Sequence, residues 1–311
     1  MNKLKALTSP HVHAEDSTRS IMLNVAVALL PATFYGIYQF GIKAFLIILT
    51  AIIAAVLTEF TYQNLMRKEV TVYDGSALVT GLLLALNLPP NVPLWIPFLG
   101  SIFAVLVVKQ LFGGIGQNFM NPALGARCFL LISFAGRMST YIWDGVSGAT
   151  PLAELKSGKA IDLAAMVIGR KSGCIGEVSA VAILIGATYL LAKKVITIKI
   201  PACYILSFLL FMVIFGGRGF DLTYLLAQLC GGGLLLGAFF MATDYSSSPI
   251  TSNGKIIFGI FIGIMTGIFR ICGSSAEGVS YAIICGNLVV PLIEKITYPT
   301  AFGREVVRNG K

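Results

Sequence analysis

Lys43-Ala44-Phe45-Leu46-Ile47-Ile48-Leu49-Thr50-Ala51-Ile52-Ile53-Ala54-Ala55-Val56-Leu57-Thr58-Glu59-Phe60-Thr61-Tyr62-Gln63 carries no charge between Lys43 and Glu59. As a helix rising about 1.5 Å per residue, a run of roughly 20 apolar residues crosses about 30 Å of hydrocarbon. Comparable segments occur at 21–40, 76–89, 93–111, 120–135, 177–192, 199–216, 222–242, 254–271 and 276–294. The chain is therefore expected to be an all-α polytopic membrane protein of about ten transmembrane helices, five on each side of a central loop. The segments at 76–89 and 120–135 are short and bracketed by Gly75, Pro89-Pro90 and Pro122. They are expected to be broken helices held inside the bundle.

Composition agrees with a lipid solvent. Hydrophobic residues make up 56% of the 311, charged residues only 12%, and the mean hydropathy is +0.84. The net charge of +9 comes from basic residues scattered between apolar runs rather than gathered in a patch, which argues for topology and against nucleic-acid binding. The first twenty residues lack the apolar core and cleavage site of a signal peptide. Six cysteines, Cys128, Cys174, Cys203, Cys230, Cys272 and Cys285, form no CxxC pair and read as packing residues.

With a cytoplasmic N-terminus, the inner side receives Lys3, Lys5, Arg19, Arg67, Lys68, Lys109, Lys193, Lys194, Lys199, Lys255, Lys295, Arg304, Arg308 and Lys311. This excess places both termini in the cytoplasm and the protein in the cytoplasmic membrane. The expected organisation is a cytoplasmic segment at 1–20, a first five-helix repeat at 21–135, an extracytoplasmic loop at 136–176, a second repeat at 177–294 and a cytoplasmic tail at 295–311. Gly81-Leu82-Leu83-Leu84 is echoed by Gly233-Leu234-Leu235-Leu236. An odd number of helices per half inverts the second, so the halves are read as inverted repeats whose functional sites lie where interrupted helices meet.

The central loop concentrates its chemistry in Asp144-Gly145-Val146-Ser147-Gly148-Ala149-Thr150-Pro151-Leu152. A phosphoester to flavin mononucleotide (FMN) needs a hydroxyl nucleophile in a chain that enters another enzyme's active site extended. Gly145, Gly148 and Ala149 remove bulk, leaving Thr150 as acceptor beside Ser147, with Asp144 as a recognition or metal-contacting carboxylate. Pro151 biases Thr150 toward extended backbone and suits the first position of a short helix over 152–156. The plain alternative is an ordinary Ser/Gly turn.

These residues resemble the flavinylation motif of the D subunit of the Rnf electron-transport complex (RnfD), in the family that includes the B subunit of the Na⁺-translocating NADH:quinone reductase. The resemblance runs along nearly the whole chain. It is carried by Ser9-Pro10-His11 with Asp16-Ser17-Thr18-Arg19, by Asp74-Gly75-Ser76-Ala77-Leu78-Val79-Thr80-Gly81-Leu82, by Gly113-Gly114-Ile115-Gly116-Gln117-Asn118-Phe119-Met120-Asn121-Pro122-Ala123, and by Thr243-Asp244-Tyr245-Ser246-Ser247-Ser248-Pro249. The last departs from the family pattern in having Tyr245 after Asp244, where that pattern has proline. The resemblance implies a multi-subunit complex moving electrons between reduced ferredoxin and NAD⁺, coupled to Na⁺ or H⁺ transport. It further implies FMN esterified to Thr150 by a flavin transferase, an outward-facing flavoprotein neighbour, and a second, noncovalent flavin, riboflavin, among the helices.

Ionised side chains inside a bilayer cost about 2.5 to 3.5 kcal/mol on insertion scales. Glu59, Arg127, Glu177, Asp244 and Glu277 sit near helix ends, where snorkelling explains most of them. Arg127 is the exception, a candidate to pair with flavin phosphate or with Asp74 or Asp244. Asp74 and Asp244 fall at corresponding breaks and are candidates for cation handling or for the second flavin's surroundings. His11 and His13 are too few for a metal site. A redox subunit competes with a flavin-free solute channel or transporter, since inverted repeats with broken helices are a transport architecture, and with a passive scaffold.

Overall fold

The computed structural model describes residues 17–143, 146–148, 150–156, 162–273 and 278–299. Asp144, Gly145, Ala149 and Glu277 lie outside them, as do 1–16 with His11 and His13. Helix α1 (Thr18–Phe40) begins where the Ser17 side chain accepts the Ser20 N–H, and α2 (Ile42–Leu65) follows after Gly41 alone. Both are long enough to span hydrocarbon, as are α13 (Ser252–Cys272) and α14 (Val279–Thr297).

Between these lie shorter pieces. Helix α3 (Ser76–Leu86) ends before Pro89-Pro90, and α4 (Trp95–Ile102) runs on as a π-helix over Phe103–Gln110. Helix α5 (Pro122–Ser133) is started by Asn121, whose Oδ1 accepts the N–H groups of Ala123 and Leu124, with Pro122 at a position needing no donor. The short α6 (Ala135–Met138) leads to strands β1 (Tyr141–Trp143) and β2 (Val146–Gly148), then α7 (Pro151–Lys156) and α8 (Leu163–Ile168). The strands pair antiparallel, Tyr141 opposite Gly148 and Ile142 opposite Ser147, a small departure from the all-helical expectation. The chain continues through α9 (Ala180–Ala192), α10 (Lys199–Phe215), α11 (Leu222–Cys230) and α12 (Leu234–Leu236), the last extended by a π-helix over Gly237–Met241.

Two expectations need correction. The segment 222–242 is not one helix: α11 and α12 meet at a 61° bend across Gly231-Gly232-Gly233. Gly233 has φ +67° and heads α12, whereas Gly81 lies inside α3, where an added Cβ would sit 2.8 Å from the Ala51 carbonyl. The Gly-Leu-Leu-Leu echo thus marks two different backbone situations. Nor is 136–176 wholly a surface loop, since residues 171–176 are buried. Ile175 N–H donates to Leu88 O at 3.0 Å and Gly176 N–H to Leu86 O at 2.7 Å. Helix α3 covers only about 16 Å, so its last carbonyls fall within the bundle, and the inserted backbone supplies their donors.

Packing relies on small residues. Helix α13 lies on α10 along Gly259, Gly263 and Gly267, where a Cβ would collide with Cys203, Ser207 and Phe211 respectively. Helix α1 packs on α9, α2 on α3 and α4, and α5 on α14. All six cysteines are free.

Candidate functional site

Thr150 is half-buried between β2 and α7. Its Oγ1 accepts the Ala153 N–H at 3.4 Å and its carbonyl accepts the Glu154 N–H at 3.0 Å, so it caps α7, with Pro151 as first helical residue. Ser147 and Gly148 belong to the extended β2. Leu152 and Leu155 are buried, and they line a cleft of about 200 Å³ with Lys156, Arg218, Tyr224 and Arg270. The Arg218 guanidinium lies 5.4 Å from the Tyr224 ring centroid. Arg270 hydrogen-bonds the carbonyls of Gln228 and Gly231 at the end of α11 and stacks 4.9 Å from Phe208. The cleft joins three cations and an aromatic ring, with its first lining residue, Leu152, two positions after Thr150, and such a lining suits phosphate and a flat ring.

A second cavity, of about 340 Å³, lies at the far end of the bundle. Ile250, just before α13, lines this cavity, whereas Ile271, near the end of α13, lines the cleft. The 21 residues of α13 separate the two by about 30 Å. The cavity is bounded by Ser76, Lys109, Asn118, Asn121, Asp244 and Glu294 among its polar groups. Asn118 Nδ2 donates to Ser246 Oγ at 2.9 Å and Asn121 Nδ2 to Met241 O at 3.4 Å, tying the two halves of the chain together.

Asp74 and Asp244 converge on this cavity in different roles. Asp74 Oδ1 accepts from Ser76 N at 2.7 Å and Ser76 Oγ at 2.6 Å, so it holds the start of α3 two residues before the lining residue Ser76. Asp244 lines the cavity itself, and its Oδ2 accepts from Ser247 Oγ at 2.9 Å and Ser246 Oγ at 3.0 Å. Burial raises its pKa, while hydrogen bonds from Ser247, Ser246 and the Tyr245 backbone act to keep it ionised. Among the described residues no three His, Cys, Asp or Glu side chains are grouped as a metal site.

Arg127 lines neither cavity. It is 3% exposed at the centre of the bundle, with Nη1 donating to Asn87 Oδ1 at 2.8 Å and Nη2 facing Cys174 Sγ at 3.5 Å. Glu177, 4% exposed, shares this centre: a Cβ on Gly233 would lie 3.0 Å from its Oε2 and 4.0 Å from Arg127 Nη1. The contacts of Arg127 with Asn87 and Cys174 stand where a pairing with Asp74 or Asp244 was expected, because Arg127 lies at the end of α3 whereas both aspartates lie at the cavity.

Snorkelling also fails for Glu59, which is fully buried. Lys109 Nζ contacts Glu59 Oε1 at 2.8 Å and Oε2 at 2.9 Å, and Gln110 Nε2 donates to Oε1 at 2.7 Å. Lys109, expected among the exposed cytoplasmic charges, is 2% exposed. Sequence reasoning missed Lys109, Glu294, Arg218 and Arg270 as site residues. Their only signal was a charge beside an apolar run, which positive-inside topology explains equally well.

The profile of the NQR2, RnfD, RnfE family matches residues 5–303. The D subunit of the Na⁺-translocating ferredoxin:NAD⁺ oxidoreductase complex of Acetobacterium woodii is 46% identical over 315 residues, covering 97% of each chain. The D subunit of the proton-translocating ferredoxin:NAD⁺ oxidoreductase complex of Clostridium ljungdahlii is 40% identical over 314 residues, covering 95% of each. The D subunit of the ion-translocating oxidoreductase complex of Stutzerimonas stutzeri is 37% identical over 335 residues, covering 93% of each.

Proposed function

The chain belongs to the NQR2, RnfD, RnfE family, and from that premise we propose that it is a membrane flavoprotein subunit of an Rnf-type complex. The complex transfers electrons between reduced ferredoxin and NAD⁺, coupled to Na⁺ or H⁺ translocation. On this reading the chain is a subunit of a translocase, without the complete activity alone, and works with the other Rnf subunits, among them an outward-facing flavoprotein. FMN is carried as a phosphoester on Thr150, attached by a flavin transferase, and a noncovalent flavin occupies the cavity at the other end of the bundle. A bound flavin supplies the redox chemistry; the chain holds and orients it and sets its electrostatic surroundings.

The observation that carries the reading is the position of Thr150: a hydroxyl at the head of α7, two residues before Leu152, which lines a cleft with Lys156, Arg218 and Arg270. The cavity's volume falls in the range of small-molecule sites, about 300 to 1,000 Å³, and its amides and hydroxyls can meet the polar edge of a flavin. The reading retains ten spans in two inverted five-helix repeats, with both termini cytoplasmic and Thr150 on the outer face. Its support is the pairing of α1 with α9 and of α5 with α14, and the parallel between α2 on α4 and α10 on α13. These pairings are compatible with a twofold relation between the halves.

Denaturing electrophoresis tests the proposal. The wild-type polypeptide is expected to keep flavin fluorescence, and Thr150→Val to lose it while still inserting in the membrane. An unmodified 150-containing peptide from cells that possess the transferase refutes it and favours a flavin-free transporter.

A further inference from the structure

We propose that Thr150 is modified only while α7 is lifted out of its seat, so that docking of this short helix controls how fast the folded chain is loaded with flavin. The inference rests on the reading that Thr150 is the flavin acceptor.

The docked geometry carries it. The ester forms when Thr150 Oγ1 attacks the phosphorus next to riboflavin in flavin adenine dinucleotide. An O–P bond forms, the pyrophosphate bond breaks, adenosine monophosphate leaves, and the hydroxyl proton passes to a base of the transferase. The transferase has to close around the acceptor and its neighbours with the chain extended. In the docked chain both sides of Thr150 are engaged. Before it, Ser147 and Gly148 pair with Ile142 and Tyr141. After it, α7 begins at Pro151, and the Thr150 hydroxyl and carbonyl accept the N–H groups of Ala153 and Glu154.

Helix α7 is held down along its length. Leu152 and Leu155 are 4% and 6% exposed. Leu152 lies on the glycines of the α11–α12 bend: a Cβ on Gly231 would sit 2.8 Å from Leu152 Cγ, and one on Gly232 2.7 Å from Leu152 Cδ1. Lys156 Nζ donates to Gly273 O at 2.8 Å and Arg218 Nη2 to Leu155 O at 3.5 Å. Six residues are too few to stay helical without such packing. Once Leu152 and Leu155 leave the cleft, α7 unwinds, Thr150 stops capping it, and Pro151 favours extended backbone at Thr150. The contacts that seat α7 therefore set the population that fits the transferase, and transfer follows that population when opening and closing are fast.

The test uses the full chain from cells lacking the transferase, purified in detergent and mixed with transferase, flavin adenine dinucleotide and Mg²⁺. Covalent flavin fluorescence follows transfer, and amide hydrogen exchange over 151–156 reports docking. Gly231→Ala lies outside the acceptor motif, at φ −100° and ψ 161°, which alanine adopts, and its methyl displaces Leu152. It is expected to speed exchange and transfer by about tenfold. Arg218→Ala, which removes one long hydrogen bond to α7, is expected to speed transfer about two- to threefold. It keeps the proposal open to refutation should Gly231→Ala not fold. Transfer to wild type as fast as to the variants overturns the proposal, as does faster exchange without faster transfer. No transfer to any of the three chains, by a transferase active on another acceptor, refutes the Thr150 reading instead.

Discussion

Lys109 and Glu59 are 2% and 0% exposed, and the ammonium reaches both carboxylate oxygens. Removing one member of such a pair leaves the other charged and buried, at a cost of about 3 to 5 kcal/mol. Lys109→Met is accordingly expected to lower the thermal unfolding midpoint in detergent markedly, and adding Glu59→Gln to recover much of the loss. Equal midpoints for the single and double variants would show that the pair does not act as a unit. At the proposed flavin cleft, Arg218→Ala is expected to leave the Thr150 ester intact but to lower the fluorescence anisotropy of the tethered flavin, since the cation over Tyr224 is lost. Thr150 was legible as a candidate because its chemistry is local: a hydroxyl, small neighbours and a proline. Lys109 was not, because its partner lies 50 residues away and a lysine ending an apolar run looks the same whether it faces water or a buried carboxylate.

Among the elements, α13 shows how apolar helices associate when lipid is as apolar as their side chains. Close backbone approach replaces hydrophobic burial, and Gly259, Gly263 and Gly267 provide it against α10. At Gly263 an added Cβ would lie 2.6 Å from Tyr204 O and 2.9 Å from Phe208 N, backbone that cannot step aside. Gly263→Leu is expected to destabilise by about 1 to 3 kcal/mol or more, seen as lower yield of folded protein and a lower unfolding midpoint. A leucine on the lipid-facing Ile264 is expected to be neutral in the same assay. The end of α3 and the start of α5 could be read from Pro89-Pro90 and Pro122, since proline lacks a donor and stops or opens a helix. The bend between α11 and α12 could not, since membrane helices tolerate glycines. That bend depends on Arg270, distant in sequence, satisfying the Gln228 and Gly231 carbonyls.

At the scale of the molecule, the cleft and the cavity occupy opposite ends, so the proposed topology has a direct readout. Phe220 and Tyr73 are 87% and 81% exposed and belong to opposite ends. In a chain without its native cysteines, Phe220→Cys is expected to react with a membrane-impermeant thiol reagent from outside the cell, and Tyr73→Cys only from within. The reverse labelling would invert the assignment of Thr150 to the outer face. The sequence by itself determined the apolar runs, the helical class and the family pattern, and it singled out Thr150 as a candidate acceptor. These follow from hydrophobic run length, breaker residues and a contiguous motif, all local along the chain. Only the tertiary structure decided that Glu59 pairs with Lys109, that 171–176 enters the bundle to satisfy the end of α3, that Arg127 meets Asn87 and Cys174, and that the cleft and the cavity stand about 30 Å apart. Buried polar groups must find partners wherever the fold places them, and distance along the chain carries no record of that choice.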